Sequence, residues 1–376
     1  MKKSFRPLIP ALLAGMVLAP ASLAQDRHST QQAEFQVQTF TEGLEHPWAL
    51  AFLPDGRMLV TERPGRLRIL ESDGTLVPDL VPGTPDVAAR GQGGLLDIAL
   101  HPDFENNRLI YISHSISGGN GMTTAVSRAR FEDDRLENLE RIFTAEPFSG
   151  ATRHFGSRLA FDRDGYLFIT VGDRGEKDRA QDIDDHAGSL IRLHDDGSIP
   201  EGNPFTDRDD ARPEIFSYGH RNPQGLTLHP ETGVLWEHEH GPRGGDELNI
   251  PEKGLNYGWP VITYGMAYSG GTIGEGTEKE GMEQPLLHWT PSIAPSGMAF
   301  YDGDHFPEWR GDLFVGALAM THLTRLEIEG EEIVDEERLL EDRGQRIRDV
   351  RSGPEGYLYV VIDDSDAEIL RLVPAE

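Results

Sequence analysis

The sequence predicts an all-β protein, a six-bladed β-propeller with four-stranded antiparallel blades. Three observations carry that prediction. One pattern recurs six times along the 376 residues: a short apolar run, a turn rich in Pro, Asp and Gly, and a second apolar run. A third run follows each pair, usually with an Arg between apolar neighbours, as in a strand with one wet face. The composition, with 42 Gly and 25 Pro, suits turn-dense sheets better than helical bundles.

In chain order, the first residues stand outside the repeat. Lys2, Lys3 and Arg6 precede the apolar run from Leu8 to Ala19, and Ser22-Leu23-Ala24 supplies small residues at a cleavage site. That layout predicts a signal peptide over residues 1–24 and a periplasmic or secreted protein. A membrane anchor is disfavoured, because the run is short and is broken by Pro10 and Pro20. Residues 25–33 are polar and read as a flexible leader, and the propeller domain is expected over 34–376.

The six paired runs begin at Leu50, Ile98, Leu159, Leu226, Met298 and Val350. Their separations of 48, 61, 67, 72 and 52 residues vary too much for an open solenoid. The turns LPDG, DRDG and GPEG lie where hairpins need them. The third runs are RLRIL at Arg66, VSRARF at Val126, LIRLH at Leu190, ELNIP at Glu247, LTRLEI at Leu323 and ILRLV at Ile369. A ring must be tied shut, and the alternating segment Phe35 to Phe40 is the expected closing strand of the last blade.

Register then gives the candidate site. The innermost strand of each blade lines the channel, so residues just ahead of it crowd one mouth. Gln92 lies six residues before Ile98, and His154 five before Leu159. Arg221 and Asn222 lie five and four before Leu226, and Arg346 and Arg348 four and two before Val350. An imidazole, two amides and three guanidiniums are thereby predicted to meet.

Charge sharpens this reading. The chain carries 35 Lys+Arg against 64 Asp+Glu, a net of −29, and losing residues 1–24 leaves 32 against 64. Such a protein repels nucleic acid and anionic lipid, so three Arg at one mouth reverse the sign locally and suit a small polyanion. With no Cys, thiolate chemistry, disulfides and Cys-bound zinc are excluded. Nothing after the leader approaches 18 consecutive apolar residues, so no membrane insertion is expected.

Two local patterns add chemistry. Asp173, in Gly172-Asp173-Arg174-Gly175, is placed either to orient His154 or to cap a turn. The loop His240-Gly241-Pro242-Arg243-Gly244-Gly245-Asp246-Glu247 offers carbonyls at Gly241 and Pro242 and two carboxylates, donors that suit Ca2+. His238 and His240, two apart, read either as a transition-metal pair or as one strand face.

Together these motifs resemble the soluble, pyrroloquinoline-quinone-dependent sugar dehydrogenases, closest to the periplasmic aldose sugar dehydrogenase branch. The resemblance runs through HPWALAFLPDGRMLVTER (46–63), GQGGLLDIALHPDF (91–104), HFGSRLAFD (154–162) and TVGDRG (170–175). It continues through SYGHRNPQGLTLHP (217–230), EHGPRGGDELN (239–249), GLNYGWP (254–260) and IAPSGMAFY (293–301). It implies a six-bladed propeller that oxidises an aldose sugar at the anomeric carbon to a lactone, with hydride transfer to the quinone and electrons passed to an external acceptor. His154 would be the general base and Asp173 its partner. Gln92, Arg221, Asn222, Tyr268, Ala317, Ala319, Arg346 and Arg348 would contact the quinone. Gly241 and Pro242 would hold the Ca2+ that also binds the quinone, and Glu247 and Tyr257 a second, structural Ca2+. Soluble glucose dehydrogenases place a Lys where Ala319 stands, so the quinone would meet one fewer cation here. The rival readings are a Ca2+-dependent lactonase-type hydrolase and a non-catalytic secreted binding module. The protein is expected as a monomer or a dimer.

Overall fold

The computed structural model describes Met1, residues 27–119 and residues 121–375. The signal peptide predicted over residues 1–24 therefore lies, Met1 apart, outside the described residues. Six antiparallel sheets follow one another along the chain. Their first strands are Pro47–Phe52, Leu95–Leu100, Leu159–Phe161, Pro223–Leu228, Pro295–Phe300 and Ile347–Ser352. Each contains the start of one sequence repeat, and neighbouring first strands contact one another around a central axis. The fold is a six-bladed β-propeller.

Blades 2 to 5 have four strands each. Blade 1 departs from the expected four: its three strands are followed by an irregular edge segment, held by a bridge between Leu70 and Leu76 and by the Val77 and Val81 amides, which donate to the Ile69 and Leu67 carbonyls at 3.0 Å. Pro78, Pro82 and Pro85 cannot donate to a ladder and break the segment that a fourth strand would need. Blade 6 has five strands, because both ends of the chain meet there. Glu34–Leu44 pairs with Ala367–Pro374, with Val37 opposite Leu372, which closes the ring as the alternation predicted.

The flexible leader is corrected by the structure over residues 27–33. Arg27–Ser29 forms the outermost strand of blade 6, pairing with Glu34 to Gln36. The turn between them is fixed by Thr30, whose Oγ1 accepts from the Ala33 amide at 2.8 Å. Gln32 Nε2 then donates to Glu327 at 2.8 Å, tying the turn to blade 5. Side-chain hydrogen bonds, invisible in a polar stretch of sequence, order this segment.

Apolar packing is divided among six seams between adjacent blades. The seam between blades 3 and 4 has the smallest buried cluster, Ala160, Phe168, Leu190 and Leu226. Along the axis sits a plug of four charges. Arg158 Nη1 lies 3.0 Å from Asp349 and 3.4 Å from Asp97, and Arg351 bonds each carboxylate at 2.8 Å. Burial of such charges is tolerable only because each is paired and hydrogen-bonded. Asp97 also accepts from the Leu159 amide and Asp349 from the Leu50 amide, so the plug joins blades 1, 2, 3 and 6.

Candidate active site

Above the plug, the channel opens into a cavity of about 280 Å³. Gln92, Asn222, Arg346 and Arg348 line it, as the register argument requires, with Trp48, Arg63, Gln224, His240, Leu318 and Asp363. His154 and Arg221 flank it, next in sequence to the lining residues Phe155 and Asn222. The six sequence-predicted polar groups are therefore brought to one mouth.

His154 has a left-handed backbone, φ 55°, immediately before the inner strand of blade 3. Held residues of this kind need surrounding constraints. Here the His154 amide donates to Gln92 Oε1 at 2.7 Å. The backbone of Gly172 packs so closely that a Cβ there would lie 2.3 Å from the His154 carbonyl oxygen. His154 Nδ1 lies 2.6 Å from Asp173 Oδ1, and the Trp259 indole donates to Asp173 Oδ2 at 2.9 Å. The Gly175 amide donates to Oδ1 at 2.6 Å. Asp173 thus orients the ring as well as shaping its own turn. Burial lowers the affinity of His154 for a proton, with Arg221 adding to this and Asp173 opposing it; the outcome is below the usual imidazole value. Burial disfavours ionisation of Asp173, but His154 and Arg221 outweigh it and keep the carboxylate charged. The arrangement is a neutral imidazole whose Nδ1 faces an oriented carboxylate, leaving Nε2 to take a proton.

The cations are less free than their number suggests. Arg346 and Arg348 both approach Asp363 Oδ2, at 3.1 and 3.3 Å, and His46 Nδ1 lies 3.2 Å from Oδ1. Burial opposes ionisation of Asp363, but Arg348 above all holds it well below the usual carboxylate range. Burial in turn pulls Arg348 down to about 10. One carboxylate thus anchors two guanidiniums and leaves a cationic excess. Arg348 also faces the Trp48 ring at 5.9 Å, while Arg158 stacks on that ring at 4.1 Å.

Arg221 Nη1 donates to the carbonyls of His240 and Gly241, at 2.8 and 2.7 Å. The Gly241 carbonyl expected to face Ca2+ is therefore beside a guanidinium. Neutral carbonyls so placed suit a dication only when an anionic ligand is bound with it. Of the two carboxylates in this loop, Asp246 holds the loop itself in place. Asp246 accepts from the amides of Gly241, Ile293 and Ala294 at 2.8 to 3.0 Å, and from Ser292 Oγ at 2.9 Å. It staples the loop to blade 5, although burial raises its pKa to about 6. Strand alternation sends Glu247 to the opposite face.

There Glu247 lies across the ladder from Glu239, and Asn249 from Glu237. Burial and Glu239 push Glu247 well above the usual carboxylate range, and burial with Glu239 does the same to Glu237. The Tyr257 hydroxyl is engaged, donating to the Ile250 carbonyl at 2.6 Å and accepting from the Glu252 amide at 2.9 Å. Only its carbonyl is left for a cation. Tyr268 is 72% exposed and is not among the cavity-lining residues. Ala317 is buried within the second strand of blade 5, and Ala319 is exposed beyond it. Leu318, between them, accepts from Arg346 through its carbonyl at 3.0 Å. His240 Nε2 contacts the Pro295 carbonyl at 2.5 Å, and burial pushes its pKa down to about 3. His238 is fully buried with both ring nitrogens lacking a hydrogen-bond partner, whereas His240 is engaged by the Pro295 carbonyl.

Sequence reasoning missed Arg63 and Asp363, singled out His240 only as half of a metal pair or strand face, and reached Leu318 only through the resemblance of the segment Ala317-Leu318-Ala319 to quinone-contacting positions. Each follows directly after the second strand of blades 1, 4, 5 and 6. Asp173 lies two residues past the corresponding strand of blade 3. The same repeat that located His154 carried this second register.

Fold and site define a propeller enzyme whose channel mouth pairs an oriented base with a cradle for an anion. The chain belongs to the family described as glucose/sorbosone dehydrogenase, which matches residues 44–371. It is 49% identical over 348 residues to the aldose sugar dehydrogenase YliI of Escherichia coli, covering 91% of this chain and 94% of that one. A crystal structure of a glucose dehydrogenase superposes with a TM-score of 0.88 at 53% identity, covering 90% of this chain and 99% of the other. A PQQ-bound aldose sugar dehydrogenase from Streptomyces coelicolor gives a TM-score of 0.75 at 28% identity, over 91% and 98% of the two chains.

Proposed function

We propose that the protein is a quinoprotein oxidoreductase that converts aldose sugars to lactones with pyrroloquinoline quinone and Ca2+. The observation that carries this is the pairing of His154 with Asp173 beside a cationic cavity. The residues present fit the quinone. It is a tricarboxylate, and Arg346 and Arg348 share a single carboxylate, which leaves charge to spare. Gln92 and Asn222 supply neutral donors at the rim. The carbonyls of Gly241 and Pro242 are the proposed Ca2+ ligands, completed by the anionic quinone itself. Ala319 offers no ammonium, so Arg63, Arg346 and Arg348 carry that role at this rim.

When bound, the quinone supplies a two-electron acceptor for the hydrogen leaving the anomeric carbon. His154 Nε2 takes the proton of the anomeric hydroxyl. Asp173 fixes the tautomer that leaves this nitrogen unprotonated and stabilises the imidazolium that results. Arg221, held by the carbonyls of His240 and Gly241, places positive charge next to the base. Phe155, Leu96 and Trp48 limit water around the reacting groups. Electrons then leave to an external acceptor.

Residues 1–24 are proposed to direct export, giving a periplasmic or secreted enzyme. No helix among the described residues is long and apolar enough to cross a membrane.

The test is reconstitution of the purified protein with quinone and Ca2+, followed by dye reduction with glucose and other aldoses. Sugar-dependent reduction supports the reading. Lactone hydrolysis without quinone, or silence in both assays, overturns it. His154→Ala should keep quinone binding within a few-fold while turnover falls roughly 10²–10⁴-fold.

A further inference from the structure

We propose that a divalent transition-metal ion, of the Mn2+ or Zn2+ class, is held by Glu237, Glu239 and His220 at the seam between blades 3 and 4. This site is separate from the channel mouth and does not depend on the sugar oxidation reading.

Glu237 and Glu239 lie two apart on the second strand of blade 4, so both project from one face. His220 lies in the crossing from blade 3. One ligand atom from each of the three lies within 4.8 Å of the others, and all three side chains are buried. His220 Nδ1 is 3.6 Å from Glu239 Oε1 and 3.8 Å from Glu237 Oε2. Those distances are too long for direct hydrogen bonds. They approach the roughly 3–3.6 Å between ligands that share an ion at about 2.0–2.2 Å.

The remaining bonds point the same way. His220 Nε2 is 3.0 Å from Ser217 Oγ, and the ring stacks on Tyr257 at 4.7 Å, so Nδ1 has a fixed direction. Glu239 Oε2 accepts from the Arg221 amide, and Glu237 Oε2 from Asn249 Nδ2 at 3.2 Å. That leaves His220 Nδ1, Glu237 Oε1 and Asn249 Oδ1 buried without a hydrogen-bond partner. Such groups are costly unless something meets them. Among the described residues no Lys or Arg pairs with either carboxylate, and Glu247 adds a third acid across the ladder.

The position also has a structural rationale. This seam has the smallest apolar cluster of the six, so its cohesion needs another source. An imidazole nitrogen among the donors favours Mn2+ or Zn2+ over Ca2+, which takes oxygen. By fixing Glu239, the ion would also fix the Arg221 backbone, linking a structural site to the mouth.

The test uses the full chain, free of quinone, stripped with a chelator and titrated with MnCl2, ZnCl2 or CaCl2. Elemental analysis should find one Mn2+ or Zn2+ per chain, and either ion should raise the melting temperature by several degrees. Bound Mn2+ should show magnetic coupling to a nitrogen nucleus. Glu237→Gln should weaken binding by 10-fold or more while raising the melting temperature of the metal-free protein. His220→Gln should abolish the nitrogen coupling, which gives a second readout if the first variant folds poorly. No ion bound, tighter binding of Ca2+ than of the other two, or unchanged binding in Glu237→Gln would overturn the proposal.

Discussion

His154 Nδ1 and Asp173 Oδ1 are 2.6 Å apart, and the Trp259 indole holds the other carboxylate oxygen at 2.9 Å. Imidazole, carboxylate and indole form one chain of hydrogen bonds. Asp173→Asn preserves shape but removes the charge that stabilises the imidazolium. Turnover is expected to fall roughly 10²–10⁴-fold, with quinone affinity nearly unchanged, as read by steady-state kinetics and absorbance titration. Trp259→Phe leaves one buried oxygen unpaired at a cost of about 1–3 kcal/mol, so a smaller loss in kcat is expected.

The pH profile follows from the burial of His154. Its pKa lies below the usual imidazole value, so the neutral base persists as pH drops below that value. The acid limb of kcat/KM should accordingly fall below pH ~6.5. Asp173 opposes the shift, so its replacement by Asn should move the limb lower still in whatever activity remains. An acid limb above that pH would contradict the environment described for His154.

Arg348 is far more enclosed than Arg346, with which it shares Asp363. Arg348→Met removes charge-assisted hydrogen bonding of about 1.5–3 kcal/mol. Quinone affinity should then drop roughly 10–100-fold. Titrations at low and high salt should also show a weaker salt dependence than in the native protein.

The axial plug supports the mouth from below. Arg158 Nη2 donates to the Arg348 carbonyl at 3.2 Å and Nε to that of Gln224 at 2.6 Å. Arg158→Met leaves Asp97 and Asp349 with Arg351 alone, and breaking a buried pair costs about 3–5 kcal/mol. Urea unfolding should register that loss. A variant as stable as the native protein would show that the plug is not a keystone.

Phe35 tests the ring closure. It is buried against Trp309, with ring centroids 5.6 Å apart. Phe35→Ala should cost about 3–5 kcal/mol, as much as a change in the middle of any blade.

The repeats made the ring, the closing strand and the convergence of Gln92, His154, Arg221 and Arg348 legible, because alternation and turn chemistry are local. What stayed hidden depends on side chains meeting across blades. Asp363 reads as one acid among 64, and only the fold sets it between Arg346 and Arg348. Trp259 follows a loop whose path back to Asp173 has no sequence signature. Asp246 and Glu247 look equivalent until pairing sends them to opposite faces. The 27–33 hairpin was missed because a polar segment says nothing about the Gln32 contact with Glu327.

Blade 6 joins the earliest and latest parts of the chain. During synthesis, the strand at Glu34–Leu44, paired locally only with Arg27–Ser29, has to wait for Ala367–Pro374 before it joins the rest of blade 6. Five blades can collapse in turn, but the ring locks only once residues 367–374 have been made. A chain cut ahead of Ala367 would therefore forfeit the same clasp as one nicked near residue 40, and proteolysis at either place should unravel the molecule in like fashion.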